Sequence, residues 1–108
     1  MKTVVILNHD QMGHGDPELG LRILGAFLRK SPVLNHLDAI VLYNSGVKLI
    51  TEGSPLLGDL YHLREAGVDL LPCGTCLETF GLKPAFGRAS DMDAIIRELD
   101  RAEKVITL

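Results

Sequence analysis

At 108 residues, with 46% hydrophobic and 23% charged side chains, the chain is long enough to form one domain, 1–108, around its own core, so neither a disulfide framework nor a structural metal is needed. A formal net charge of -3, a pI near 5.7 and scattered lysines and arginines exclude the basic footprint of a nucleic-acid or anionic-membrane partner. The run TVVIL before Asn8 is too short for a signal h-region or a membrane span, which makes the cytosol, where thiols stay reduced, the expected compartment.

Thr3 to Leu7 (TVVIL) is a continuous β-branched run, the pattern of a strand buried on both faces. It leads into the polar loop NHDQMGHG. Asp16 then reads as a helix N-cap with Pro17 in the first helical position, and Leu19, Ile23 and Phe27 at i, i+4, i+8 give the helix an apolar face. Ala39 to Tyr43 (AIVLY) predicts the second strand, and Asn44, Ser45 and Gly46 turn the chain. Ser54 caps a helix opened by Pro55, which carries Leu56, Leu60 and Leu63 inward and stops at Gly67.

Val68 to Leu71 is the third predicted strand and runs straight into CGTC, followed by a short helix from Cys76 to Phe80 ended by Gly81. Between Pro84 and Ala89 a further short strand is expected. Ser90 and Asp93 approximate a capping box for a helix from Asp91 to Arg101 that buries Met92, Ile95, Ile96 and Leu99, and KVIT (104–107) closes the chain as a strand. Strands alternating with helices define an α/β protein: a mostly parallel sheet of about five strands, covered on both faces through right-handed crossovers. Ligands of such sheets sit at the carboxyl edge near the switch in strand order, where loops 8–16, 44–54 and 73–76 fall.

Both cysteines of the chain lie in CGTC. A sulfur at a strand end, aimed at unpaired N–H groups of the next helix, meets the conditions that favour a thiolate, so Cys73 is the expected nucleophile and Cys76 the expected resolving thiol. Gly74 should leave the sulfur accessible and Thr75 should cap the helix. The plainer reading, two small buried hydrophobes at a tight turn, is disfavoured by the C-x-x-C spacing after a strand. A zinc site would want four ligands, and His9, His14, His36 and His62 show no paired metal spacing. A Cys2His2 set completed by His9 and His14 is the one metal alternative, and neither metal nor cofactor is expected.

The remaining candidate contacts to a substrate are Asn8, Asp10 and Gly13 in the first loop, Asn44, Ser45, Gly46 and Lys48 in the second, and Gly74 and Thr75 between the cysteines. Gly13 and Gly15 allow a phosphate cradle, but the loop matches no phosphate-binding fingerprint, and Asp10 and Asp16 would repel the anion. Lys48 is the basic residue that topology places nearest the sulfur, where its charge would favour a thiolate or persulfide. A solvated surface lysine is the equal alternative. Lys83 and Arg88 follow the cysteine helix and are expected to approach the same edge.

The stretches VVILNHDQMGHGDPELG, YNSGVKLITEGS and LPCGTCLETFGLK, in this order, resemble the DsrE-like domain at the C-terminal end of the YedF proteins, which are sulfurtransferase-like and associated with selenium metabolism. The resemblance runs from Val4 to Ile106. It implies a three-layer α/β/α Rossmann-like fold, homo-oligomers, and a sulfur-carrying cysteine after the third strand, here Cys73. YedF proteins also carry a TusA-like domain that these 108 residues do not contain, which implies either a separate TusA-like sulfur carrier as partner or the loss of that role.

The leading expectation is therefore a cytoplasmic sulfur or selenium relay, sulfurtransferase-like, holding a persulfide on Cys73. Thiol-disulfide exchange through Cys73 and Cys76 is a second reading, since strand, CGTC and helix imitate a thioredoxin site locally. A non-catalytic module that binds a small ligand or protein at the carboxyl edge is the third.

Overall fold

The computed structural model describes residues 2–108. The chain runs β1 (Thr3–Leu7), α1 (Pro17–Lys30), a 3-10 turn (Ser31–Val33), β2 (Leu37–Leu42), a longer 3-10 segment (Asn44–Ile50), α2 (Leu57–Glu65), β3 (Asp69–Pro72), α3 (Gly74–Phe80), α4 (Met92–Arg101) and β4 (Lys104–Thr107). All pairings are parallel, and the strand order is β3-β2-β1-β4. Right-handed crossovers from β1 to β2 and from β2 to β3 set α1 and α2 on one face, and the return to β4 sets α4 on the other. The result is three layers, helix on sheet on helix. Both central strands are apolar runs because both of their faces are covered, and Val4, Val5, Ile40, Val41 and Leu42 have no exposed surface.

Helix α1 is capped as its sequence predicts, with the Leu19 N–H donating to the Asp16 carboxylate at 2.8 Å. Its buried face is not the predicted one. Leu19 and Ile23 are exposed, and Gly20, Leu24, Gly25 and Leu28 face inward instead. Small residues on that face let the helix come close to its neighbour: a Cβ on Gly25 would sit 3.0 Å from Leu56, the residue preceding α2. Counting only large apolar side chains missed this. Arg29 and Asp59 pair across the same seam at 3.1 Å.

Three further expectations are corrected. The fifth strand is absent among the described residues: Pro84 to Ala89 forms no strand, and only Ser90 reaches β3's end, donating to the Pro72 carbonyl at 2.7 Å while accepting the Gly74 N–H at 2.9 Å. Gly87, at φ +70°, breaks the extended run. Helix α4 is capped by Asp91, not by Ser90, through the Ala94 N–H at 2.8 Å, and that rotation leaves Met92 and Ile96 exposed while Ile95 is buried. Finally, α3 begins at Gly74, two residues earlier than expected.

Register positions the carboxyl edge. Leu7 pairs with Leu42 and Leu42 with Pro72, so the chain leaves β1, β2 and β3 at one level. The Tyr43 N–H donates to the Leu7 carbonyl at 3.1 Å, and the Cys73 N–H to the Leu42 carbonyl at 2.8 Å, extending the ladder by one bond on each strand. Since the Cys73 N–H faces β2, the Pro72 nitrogen points to the outer edge, where its missing hydrogen costs no ladder bond.

Candidate functional site

Cys73 ends β3 and stands in the N-cap position of α3, with φ -63° and ψ 122°. Neither its side chain nor that of Thr75 caps the helix, so the expected Thr75 cap is not formed. Gly74 has a different task from the one expected: a Cβ there would fall 2.8 Å from the Ser90 carbonyl, so its bareness admits that backbone contact. The open thiol expected at Cys73 is also corrected. Only 4% of Cys73 is exposed, since it belongs to the buried core, whereas Cys76 is half-buried.

The donor that reaches a sulfur comes from the second loop. Asn44, at φ +51°, turns its backbone N–H onto the Cys76 Sγ at 3.1 Å, and its side-chain oxygen accepts the Ser45 N–H at 2.8 Å. A short polar side chain that bonds locally is the type that tolerates this left-handed backbone. Gly46 is fixed by contact: a Cβ would lie 2.2 Å from the Leu7 carbonyl oxygen. Close approach of the 3-10 segment to the end of β1 thus requires glycine.

Cys73 and Cys76 both stand at the start of α3, and the Cys73 sulfur is among the groups that act on the Cys76 thiol. Burial pushes the Cys76 thiol above its ordinary range, the Cys73 sulfur pushes it further, and the Asn44 N–H pulls partly back. The neutral Cys76 thiol is therefore favoured.

Lys48 does not touch a sulfur. Its ammonium sits 4.7 Å from the centre of the Phe80 ring, four residues beyond Cys76 on α3. Asp10 and Lys48 line one cleft of about 570 Å³ together with Glu52, Phe80 and Leu82. Asn8, Asn44 and Ser45 line a second, of about 490 Å³, with His9, His14 and Tyr43. Gly13 takes φ +85° in an exposed loop, which accounts for it without any phosphate. His9 and His14 stack on each other with ring centres 5.1 Å apart, and among the described residues no three His, Cys, Asp or Glu side chains gather as metal ligands. Arg88 lies away from this edge, in a cleft with Arg64 and Asp69 beside β3. Phe80 was not singled out by sequence, and Glu52 reads there only as a residue shaping its loop. The signal for Phe80 was its i+4 spacing from Cys76 on a helix.

Fold and site together define a parallel α/β protein with a dithiol at the carboxyl edge of an edge strand, two strands away from the switch point between β1 and β4. The chain belongs to the DsrE/DsrF-like family, whose model matches residues 1–108 and which is generally associated with sulfur relay. Its fold is that of the YchN protein from E. coli (TM-score 0.70, 19% identity, 99% of this chain and 98% of that one). The protein of unknown function MTH1491 from Methanobacterium thermoautotrophicum superposes with a TM-score of 0.74 at 21% identity, covering 99% and 98%. BT1422 from Bacteroides thetaiotaomicron, also of unknown function, gives 0.66 at 16% identity, covering 99% and 94%. No curated protein matches the sequence. Among the described residues no helix is long and apolar enough to cross a membrane.

Proposed function

We propose that the chain relays sulfane sulfur through both cysteines in turn. The observation that carries this reading is the difference in burial between two free cysteines one helical turn apart, Cys76 half-buried at the edge and Cys73 buried behind it. A donor reaches Cys76 first. Cys76 gives up its proton as it attacks the outer sulfur of a donor persulfide, which forms Cys76–S–SH and releases the donor as its thiol, the proton ending on the leaving sulfur. Cys73 then attacks that same outer sulfur, its proton passing to Cys76, so that Cys73 holds the persulfide and Cys76 returns to the thiol.

Burial protects the stored sulfur from water and oxidants, and the reverse hand-off delivers it to an acceptor. Attack by Cys73 on the inner sulfur would instead expel hydrosulfide and leave a disulfide, which is the competing outcome. The YedF resemblance supports a TusA-like protein on one side of the exchange and Cys73 as the carrier.

The test is intact mass after reduced protein meets a persulfide donor. Wild type is expected to gain the mass of one sulfur atom, Cys73→Ser to gain it on Cys76, and Cys76→Ser to load slowly. No adduct on wild type, or loading of Cys76→Ser at the wild-type rate, would remove the proposed path.

A further inference from the structure

The 3-10 segment Asn44–Ile50 and helix α3 meet through two contacts with the same spacing. Asn44 bonds Cys76, and four residues further along both segments Lys48 covers Phe80. Four residues of α-helix advance about 6 Å, so the reachable sulfur and the Lys48–Phe80 contact stand one helical turn apart on one face of α3. The cleft of about 570 Å³ opens at that second contact. Its size is that of a small-molecule site rather than of a protein interface.

Its charges are laid out for a zwitterion. Lys48 supplies one cation, Asp10 from the first loop and Glu52 from the second supply two carboxylates, and among the described residues no ion pair joins any of them. Leu21, Leu82 and Phe80 add apolar lining to the same cleft. An anion alone would meet two repelling carboxylates, and a cation alone would meet the ammonium. A molecule bearing both charges satisfies all three.

Resting on the relay reading above, we infer that this cleft binds the small-molecule partner of the exchange: a thiol-bearing α-amino acid, its carboxylate on Lys48, its ammonium at Asp10 and Glu52, and its sulfur directed along α3 toward Cys76. The transfer balances as thiol exchange. Cys76–S–SH and the bound thiol RSH give Cys76–SH and R–S–SH, with no change in net oxidation state.

Binding is tested apart from transfer with S-methyl-L-cysteine, which cannot exchange sulfur, titrated into the wild-type protein and followed by backbone amide shifts. Saturable shifts at Leu49, Gly53 and Leu82 are expected, with at least tenfold weaker binding of 2-(methylthio)ethylamine, which lacks the carboxylate, and of 3-(methylthio)propionate, which lacks the ammonium. Lys48→Gln should weaken the amino acid about as much as removing its carboxylate does. Equal binding of all three probes, shifts elsewhere, or no shift would overturn the inference. Binding as described in a protein that takes up no sulfur would overturn the relay and leave the cleft assigned.

Discussion

Asn44 and Cys76, 32 residues apart in the chain, meet at 3.1 Å, with a backbone N–H donating to a thiol sulfur. That contact depends on the left-handed turn at Asn44 and not on its side chain reaching the sulfur. Asn44→Gly should keep the turn and the thiol titration of Cys76. Asn44→Val, whose branched side chain resists this backbone, should cost about 1–2 kcal/mol of stability and push the Cys76 titration higher still. Urea unfolding and thiolate absorbance measure the two effects.

Gly46 and Gly58 form a matched pair of controls. A methyl on Gly46 meets the Leu7 carbonyl at 2.2 Å, whereas one on Gly58, inside α2, meets nothing within 4 Å. Gly46→Ala should lose stability at the upper end of the ~1–3 kcal/mol typical of overpacking, or more. Gly58→Ala should gain about 0.5–1 kcal/mol from helix propensity. Equilibrium unfolding checks both signs.

The dithiol titrates in a defined direction. Cys76 is raised from 9.0 by burial and by Cys73, so its protonated form is favoured in the fold. The stability this contributes is full below the ordinary thiol value and is lost as pH rises through the raised one. Replacing Cys73 by alanine removes the neighbouring sulfur that helps to raise Cys76, and the pH at which iodoacetamide captures half of Cys76 at the limiting rate should fall. An unchanged midpoint would mean the two sulfurs do not sense each other.

At the opposite, amino edge of the sheet, Lys2 stands 3.2 Å from Asp38 and 3.6 Å from the buried Glu98. Burial alone would raise the Asp38 carboxyl, but its polar contacts toward Lys2 and Glu98, and the charges of Lys2 and Arg101, outweigh it and hold Asp38 below its ordinary value of 3.8. Its stabilising contribution is present above that value and is lost as pH falls through the lowered one. Asp38→Asn should therefore flatten the acid limb of stability against pH, with a small amplitude because the side chain is partly exposed.

Much of the frame was legible because it rests on local rules. The run TVVIL, the Asp16 cap, the inward Leu56, Leu60 and Leu63, and the Gly67 and Gly81 stops are all found where chemistry places them. Beside the local misplacement of the α3 and α4 starts, what failed depended on packing between distant segments. The face of α1 is chosen by Gly20 and Gly25, which carry no hydrophobic signal of their own, and the fate of 84–89 turns on one bridge at Ser90. The site divides the same way. That both sulfurs of CGTC stand at the carboxyl edge, after the third strand, was readable from spacing, but which of them is the less buried was not, nor did any pattern in NSGVKLI announce the 3-10 winding of residues 44–50.

The order of sulfur arrival tests the account most directly. Reduced protein mixed with a persulfide donor, quenched at short intervals by alkylation and mapped by peptide mass, should show the added sulfur on Cys76 first and on Cys73 later. In Cys73→Ser it should stay on Cys76. Sulfur appearing first on Cys73, with Cys76→Ser loading equally fast, would contradict the entry path through the outer thiol.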